Sequence, residues 1–275
     1  MKVWVNGTMV DADAARVSVF DHGFTVGDGV FETTKVVDGV PFAFTRHLDR
    51  LAASAAAMGL AAPAAPRIRA AVAEVVAQLG PEPGRVRITL TAGVAPLGSG
   101  RGDAEPTLVV AASPMSPWPA TEACVLVPWV RNERSAVAGV KTTSYGDNVV
   151  ALAYAKARGA GEALFANTVG ALCEGTGTNV FVVHGDVVRT PPLSSGCLAG
   201  VTRALVLAWC PQVCEEYISP ADLETADEVF LTSSTRDVQA VRAVDDRSYP
   251  NAPGPVTSAI ADTFVRNAAK DPDPI

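Results

Sequence analysis

The chain has 275 residues, 48% of them hydrophobic, and a formal net charge of −7 at pH 7. This length suffices for one large domain or two smaller ones, and the lack of a Lys/Arg-rich run argues against nucleic acid or an anionic membrane as a partner. The longest apolar stretch, LAASAAAMGLAAPAAP (51–66), is broken by Pro63 and is shorter than the roughly 20 residues of a membrane helix.

The N-terminal sequence MKVWVNGTMVDAD has no apolar signal core, so a cytoplasmic protein is predicted. Five cysteines without a C-x-x-C motif favour reduced thiols over a disulfide framework or a zinc site. His22, His47 and His184 are far apart in sequence, and no metal site is predicted. His22 and His47 remain candidates either for hydrogen bonding in a site or for ordinary, partly buried positions.

Two hairpins open the chain. KVWVNGTMV turns at an Asn-Gly pair, and VFETTKVVDGVPFAF turns at an Asp-Gly pair. The spacing of Leu48, Leu51 and Met58 then predicts a helix with Thr45 as its N-cap. A second helix is predicted at about 66–79. The segments GRVRITLTAGV and PTLVVAASP are predicted strands, so the first part is expected to be α+β.

The Pro-rich segment SPMSPWPA (113–120) is the predicted linker between residues 1–112 and residues 121–275. The second part begins with a strand in CVLVPWV and a helix in DNVVALAYAKARGAGEAL. Short strands follow in EALFAN, NVFVVHG and VVRTPP, then a helix in GVTRALVLAWC, a strand in EVFLTSST and a terminal helix. This mixed order predicts a second α+β domain.

Lys141 lies at the end of an apolar run in AGVKTTSYGDNVV, in a chain with five lysines and seventeen arginines. An amine is nucleophilic only when it is unprotonated, and apolar surroundings favour that form. From this feature alone, a surface lysine at a strand end is the simpler interpretation.

Glu174 precedes a Gly/Thr-rich bend and the apolar strand 180–183. A carboxylate in such a place is expected to be partly buried and to need a cationic partner, and a protonated pyridine nitrogen would serve. The alternative is an ordinary glutamate in a turn.

Three further segments offer donors for a phosphate group. Gly200 precedes an amphipathic helix whose first N–H groups can bind an anion, with Thr202 adding a hydroxyl. The strand FLTSSTRDV ends in four hydroxyl residues, among them Ser233 and Ser234, and Arg50 can bind phosphate bidentately. A helix boundary, a turn and a surface arginine are the plainer interpretations. With the lysine and the glutamate, however, these segments make up the parts of a pyridoxal-phosphate site.

The same segments, in this order, resemble the fold-type IV pyridoxal-phosphate enzymes, which include branched-chain aminotransferases, D-amino acid aminotransferases, (R)-amine transaminases and aminodeoxychorismate lyases. The resemblance extends from WVNGTMV through DHGFTVGDGVFETTKVVDG, RHLDRL, GVKTTS, EGTGTNVF and LAGVTR to FLTSSTRDV, nearly the whole chain. It implies a small N-terminal α/β sandwich, a larger mixed, barrel-like C-terminal domain carrying the lysine, and a homodimer that acts on a small molecule.

The resemblance also implies roles for single residues. Lys141 is similar to the Schiff-base lysine, Glu174 to the partner of the pyridine nitrogen, and Leu198 to the leucine that packs on the ring. The implied phosphate contacts are Arg50, Gly200, Val201, Thr202, Ser233 and Ser234.

Some positions distinguish members of this family. Branched-chain enzymes have a tyrosine at Val26, and D-amino acid aminotransferases have an arginine and a histidine at Leu97 and Ser99. GDGVFETTKVVDG resembles the lyases, with Thr33 or Thr34 as the donor to the leaving group. The prediction is therefore 4-amino-4-deoxychorismate lyase, which forms pyruvate and 4-aminobenzoate for folate biosynthesis. The alternatives are a class IV aminotransferase acting on branched-chain or other amino acids, and a non-catalytic phosphate-binding protein.

Overall fold

The computed structural model describes residues 1–275, which form two compact units. The first unit contains residues 1–117, 140–145 and 271–275, and the second contains residues 118–139 and 146–270. The first change of unit falls within the predicted linker. The division otherwise differs from the predicted one, because Lys141 and the last five residues belong to the first unit.

The first unit is built on a six-stranded antiparallel sheet with the order β2-β1-β6-β5-β3-β4. Both predicted hairpins are confirmed, since β1 pairs with β2 and β3 pairs with β4. At their turns Asn6, Gly7, Asp38 and Gly39 all have positive φ, which Asn, Asp and Gly tolerate best. The strands are β1 (Lys2–Val5), β2 (Thr8–Asp11), β3 (Gly29–Val37), β4 (Val40–Pro41), β5 (Gly84–Thr91) and β6 (Thr107–Pro114).

Three helices accompany this sheet: α1 (His22–Thr25), α2 (Phe44–Ala57) and α3 (Ala65–Val76). The apolar sides of α2 and α3 pack with every second residue of the central strands in one hydrophobic core. Its members include Val30, Leu51, Val72, Ile88 and Val110, all of them buried. The alternate residues of β3 and β5 therefore lie on the other face of the sheet.

The predicted N-cap of α2 is wrong. The helix begins at Phe44, and its N-cap is Ala43 in the left-handed conformation, with no side-chain cap. The carboxylate of Asp273 instead accepts hydrogen bonds from the backbone N–H and the hydroxyl of Thr45, at 2.7 and 2.6 Å. A residue from the C-terminus thus satisfies a helix start for which local sequence gives no cap.

The second unit contains a nine-stranded sheet with the order β12-β11-β10-β13-β14-β7-β8-β9, and β15 pairs with β14. Three pairs are parallel and the others antiparallel, which confirms the predicted mixed α+β architecture. The strands are β7 (Thr121–Arg131), β8 (Glu162–Asn167), β9 (Leu172–Gly175), β10 (Asn179–His184), β11 (Val187–Thr190), β12 (Val213–Glu215), β13 (Glu228–Ser233), β14 (Asp237–Val244) and β15 (Arg247–Ser248).

The helices of the second unit are α4 (Gly146–Lys156), α5 (Val201–Trp209), α6 (Asp222–Thr225) and α7 (Pro255–Lys270), with a short 3₁₀ turn at Leu193–Ser195. Strands β10 and β13 are buried along nearly their whole length, as expected of an apolar run at the centre of a sheet. None of the helices in the chain combines the length and the apolar character that crossing a bilayer requires.

Candidate active site

Lys141 is fixed beside β3 by its backbone. Its carbonyl accepts a hydrogen bond from the Phe31 N–H at 3.0 Å, and its own N–H donates to the Ser54 hydroxyl at 3.3 Å. The next residue, Thr142, forms an antiparallel bridge with Val30. The side-chain Nζ lies 4.6 Å from the centroid of the Phe31 ring. The amine is therefore held at a defined place on the face of the sheet opposite the helices.

The two threonines predicted as proton donors point to opposite faces of β3. Thr33 alternates with the buried core residues and shares the face of Phe31. Thr34 is buried on the helix side, where its hydroxyl donates to the Phe42 carbonyl at 2.6 Å. Of this pair only Thr33 lies on the face that carries the Phe31 ring beside Lys141, and the donor role of either threonine stays a prediction.

The face of Phe31 also carries two arginines that sequence reasoning did not single out. Arg87 lies opposite Thr33 in the sheet register, and Arg85 lies opposite Lys35. The guanidinium of Arg87 stacks 3.8 Å from the Phe31 centroid, and its Nε donates to the Thr89 hydroxyl at 3.2 Å. The period-2 pattern of GRVRITLT, in which apolar residues alternate with Arg, Arg and Thr, could have placed both arginines on one face.

Arg87 has no carboxylate partner in the structure, and neither has Arg85, which donates from Nε to the Ser113 hydroxyl at 3.2 Å. By surface area Arg87 is exposed, yet enough protein surrounds its guanidinium that desolvation lowers its pKa. A partly desolvated cation without a carboxylate partner favours the binding of an anion.

Arg50 is oriented by a carboxylate that the sequence analysis missed. Glu32 is buried on the helix side of β3 and accepts from Nε and Nη2 of Arg50 at 2.7 and 2.8 Å. The ring Nδ1 of His47 bonds the same carboxylate at 2.7 Å. Burial lowers the pKa of His47, so the neutral ring with a proton on Nδ1 is the form that donates to Glu32.

In the second unit Glu174 lies at the end of β9, where an arginine and a backbone N–H orient it. Nε of Arg131 donates to one carboxylate oxygen at 3.1 Å, and the N–H of Leu198 donates to the other at 2.9 Å. The guanidinium of Arg131 stacks 4.1 Å from the ring centroid of Phe165. Arg131 was not predicted, because it is 43 residues from Glu174 along the chain.

Asn179 connects Glu174 to the remaining predicted residues. Its side-chain amide donates to the carbonyl of Leu198 at 2.9 Å, and it pairs with Thr232 across β10 and β13. Its side-chain oxygen lies so close to Gly200 that a Cβ there would collide with it. The absence of a side chain at Gly200 therefore lets the start of α5 approach β10 beside Glu174.

The start of α5 and the end of β13 supply the predicted phosphate donors. Gly200 is the N-cap, and no side chain caps the helix, so its first N–H groups are oriented for an anion. Val201 and Thr202 in the first turn are buried. Ser233 ends β13, and its hydroxyl accepts from the N–H of Arg236 at 3.2 Å, which closes the turn containing Ser234.

The predicted residues thus form two groups, one in each unit. The first unit holds Lys141, Arg50 and Thr33, an amine, a guanidinium and a hydroxyl. The second holds a carboxylate, an apolar side chain, an uncapped helix start and hydroxyls; its members are Glu174, Leu198, Gly200, Val201, Thr202, Ser233 and Ser234. These are the donor types that pyridoxal phosphate requires for its aldehyde, ring nitrogen and phosphate.

Comparison with known proteins gives a consistent pattern. Residues 29–244 match the family model described as amino-transferase class IV. The chain is 34% identical to the "Putative branched-chain-amino-acid aminotransferase" of Methanocaldococcus jannaschii, over 96% of this chain and 95% of the relative. It is 28% identical to a D-alanine aminotransferase of Bacillus licheniformis, over 98% and 99%. A branched-chain aminotransferase of Thermoproteus uzoniensis, crystallised with norvaline, has a TM-score of 0.91 and 30% identity, covering 97% and 94%.

Proposed function

The chain belongs to the amino-transferase class IV family, and from this premise we propose that it transfers the amino group of an amino acid to a 2-oxo acid. Its cofactor is pyridoxal 5'-phosphate, as in the rest of this family. The relatives and the solved structure above are aminotransferases, which supports this reaction ahead of the elimination predicted from the motif at 27–39.

One observation carries the proposal. Lys141 Nζ and the guanidinium of Arg87 both lie against the ring of Phe31, so they are at most 8.4 Å apart (4.6 Å plus 3.8 Å). The amine and the carboxylate of an amino acid are separated by less than this upper limit, so one substrate molecule can reach both side chains. Arg87 therefore binds the carboxylate, and Arg85 adds a second cation on the same face.

Pyridoxal phosphate, when bound, supplies an aldehyde that condenses with an amine and a ring that accepts an electron pair. The Nζ of Lys141 would hold the aldehyde and, when free, would accept the proton of the substrate's α carbon. Glu174 keeps a proton on the ring nitrogen, and its own carboxylate is oriented by Arg131 and Leu198.

Each unit, taken by itself, offers donors suited to the phosphate. Arg50, which Glu32 and His47 orient, supplies a cation for the phosphate. The uncapped start of α5 and the hydroxyls near Ser234 supply neutral donors. Leu198 contributes apolar contact with the ring.

A second candidate is the lyase that the sequence predicts. Thr33 lies on the face of Phe31, where its hydroxyl is suited to protonating a departing pyruvate. Lys141 and Glu174 would act as described, but the reaction would end in elimination. The two reactions share their cofactor contacts and differ in their products.

Loops of the first unit support a homodimer as part of this proposal. Residues near 20 and 95 are joined by backbone bonds, Ala95 N–H to Phe20 C=O at 3.1 Å among them. Phe24, in α1, and Leu97, in the segment between β5 and β6, are 74% and 75% exposed. Large apolar side chains this exposed favour burial against a partner, and a second copy of the chain is the proposed partner. The cytoplasmic location stays a prediction.

The experiment is a substrate panel on the holoenzyme. L- and D-amino acids are each incubated with 2-oxoglutarate, and aminodeoxychorismate is incubated alone; glutamate, the new 2-oxo acid, pyruvate and 4-aminobenzoate are measured. Glutamate formation without 4-aminobenzoate is the expected result. Release of 4-aminobenzoate with no amino transfer would replace the aminotransferase by the lyase.

Arg87→Gln tests the carboxylate contact. Its KM for amino donor and 2-oxo acid is expected to rise about 10-fold or more, because a charged hydrogen bond is lost, while cofactor affinity is kept. Arg67→Gln is the control, since Arg67 also stacks on an aromatic ring, that of Trp4, at 5.7 Å. Equal KM values in Arg87→Gln and Arg67→Gln would contradict the role of Arg87.

A further inference from the structure

Arg236 and Glu162 form a buried ion pair in the second unit that the mechanism above does not use. Their side chains are 8% and 1% exposed, and Nη2 of Arg236 lies 3.3 Å from a carboxylate oxygen of Glu162. Taking both charges out of water is costly, so a buried pair is a weak source of stability and invites another explanation. The hydrogen bonds that each partner makes with a neighbouring segment supply this explanation.

Glu162, the first residue of β8, holds the bend that follows Glu174. Its carboxylate accepts from the N–H of Thr176 at 2.9 Å, from the hydroxyl of the same residue, and from the Thr178 hydroxyl at 3.3 Å. Within the bend, the N–H of Gly175 donates to the Thr178 carbonyl at 2.8 Å. The bend starts at the residue after Glu174, so its position determines where that carboxylate points.

Arg236 holds the turn at the end of β13. Its backbone N–H donates to the hydroxyl of Ser233, and Ser234 lies inside the closed turn. Its guanidinium donates to Gln239 Oε1 at 2.9 Å and stacks 4.1 Å from the Trp118 ring centroid. With Glu162 at 3.3 Å and Glu122 at 4.0 Å, the side chain has four partners, and the turn that carries it is anchored with it.

We propose that Arg236 and Glu162 are positioning residues whose ion pair ties the bend 175–178 to the turn 233–236. The pair fixes the distance between the carboxylate for the ring nitrogen and the hydroxyls for the phosphate. The carboxylate and the hydroxyls are then already at the distance that the bound cofactor requires. Binding therefore does not have to order either segment. This inference rests on the proposed cofactor contacts of Glu174 and Ser234.

The test uses Glu162→Gln, Arg236→Gln and the double variant, with Arg189→Gln as the matched control. Arg189 pairs with Asp222 at 3.4 Å in the same unit, away from both segments. Two quantities are measured: hydrogen exchange of the backbone amides in the apoprotein, and the dissociation constant of pyridoxal phosphate. Amide exchange is measured without the cofactor and so does not depend on the proposed cofactor contacts.

Arg236→Gln is expected to speed amide exchange at 175–178, the bend that Glu162 holds. Glu162→Gln is expected to speed amide exchange at 233–236, the turn that Arg236 holds. Each single variant is expected to raise the cofactor dissociation constant about 10-fold or more. The double variant is expected to raise it no further than the single variant that binds the cofactor more weakly. Arg189→Gln is expected to lower the melting temperature without changing either quantity. Unchanged exchange in the opposite segment, or additive effects on affinity, would overturn the inference.

Two more variants keep the test decisive. If the charge variants do not fold, Thr178→Val removes one hydroxyl bond to Glu162 without leaving a charge unpaired; it should speed exchange at 233–236, and no change would overturn the inference. Glu174→Ala with Ser234→Ala tests the proposed function. If Glu174→Ala combined with Ser234→Ala leaves cofactor affinity unchanged, the proposed site fails. If that combination weakens cofactor binding while Arg236→Gln binds the cofactor as the wild type does, only the positioning role is overturned.

Discussion

Glu32 and Glu174 are both carboxylates paired with an arginine, one in each unit, and they differ in how fully the protein surrounds them. Glu32 is 1% exposed and accepts from two nitrogens of Arg50 and from His47, all within 2.8 Å. Glu174 keeps 13% of its side chain exposed, and its contacts include Arg131 at 3.1 Å and the Leu198 N–H at 2.9 Å.

The difference indicates that the two pairs have opposite roles. Burial alone would raise the pKa of Glu32, but the charge and hydrogen bonds of Arg50, with those of His47, lower it to about 2. Glu32 is thus held as an anion that orients Arg50, and the arginine is the member of this pair that we propose as the ligand contact. In the second unit Arg131 orients Glu174, and here the carboxylate is the proposed ligand contact.

The largest expected effect is that of Glu174→Gln. The amide keeps the shape but cannot hold a proton on the ring nitrogen, so kcat should fall roughly 10²- to 10⁴-fold while the cofactor stays bound. Single-turnover kinetics on the cofactor-saturated variant measure this, with Arg131→Lys as the milder control that retains a cation. Near-normal kcat in Glu174→Gln would mean that this carboxylate is structural, like Glu32.

The second prediction concerns acid stability. The pKa of Glu32 is lowered from 4.5 to about 2, so its contribution is complete above pH 4.5 and is lost as the pH falls through about 2. A shift of this size corresponds to about 3 kcal/mol of unfolding free energy. Urea unfolding between pH 7 and pH 2 should therefore show a smaller loss in Glu32→Gln than in the wild type. Identical losses would contradict the ionised, paired state of Glu32.

The smallest expected effect is that of Arg50→Ala on cofactor affinity. Loss of a charge-assisted hydrogen bond should raise the dissociation constant of pyridoxal phosphate about 10- to 100-fold, with kcat at saturation changed less. Arg46→Ala is the control, because Arg46 lies on the same helix but donates to the Pro274 carbonyl at 3.0 Å. Equal affinities of the two variants would show that Arg50 serves only Glu32.

Local features of the chain were predictable from the sequence, because their causes lie within a few residues. The Asn-Gly and Asp-Gly turns set the register of both hairpins, and the spacing of Leu48 and Leu51 placed α2. Gly200 was identified as a helix start on the same basis. The capping of α2 was not predictable, since Asp273 is 228 residues from Thr45.

The proposed site divides in the same way. Lys141, Glu174 and Arg50 stand in recognisable motifs, whereas the residues that orient them come from distant segments, as Arg131 does for Glu174. Assigning Lys141 to the second domain was wrong because its position along the chain follows the linker, while its backbone bonds join it to β3. Glu32 could have been found: period-2 alternation in VFETT places it among core residues, where a carboxylate needs a cation.

The central claim is that Lys141 binds the cofactor. The most direct measurement is to reduce the holoenzyme with sodium borohydride, which fixes the cofactor to the lysine that holds it, and to map the modified peptide by mass spectrometry. We expect the added mass on Lys141, and we expect Lys141→Ala to lose both the modification and the visible absorption band. Modification of Lys35 or Lys156 in the wild type would contradict it.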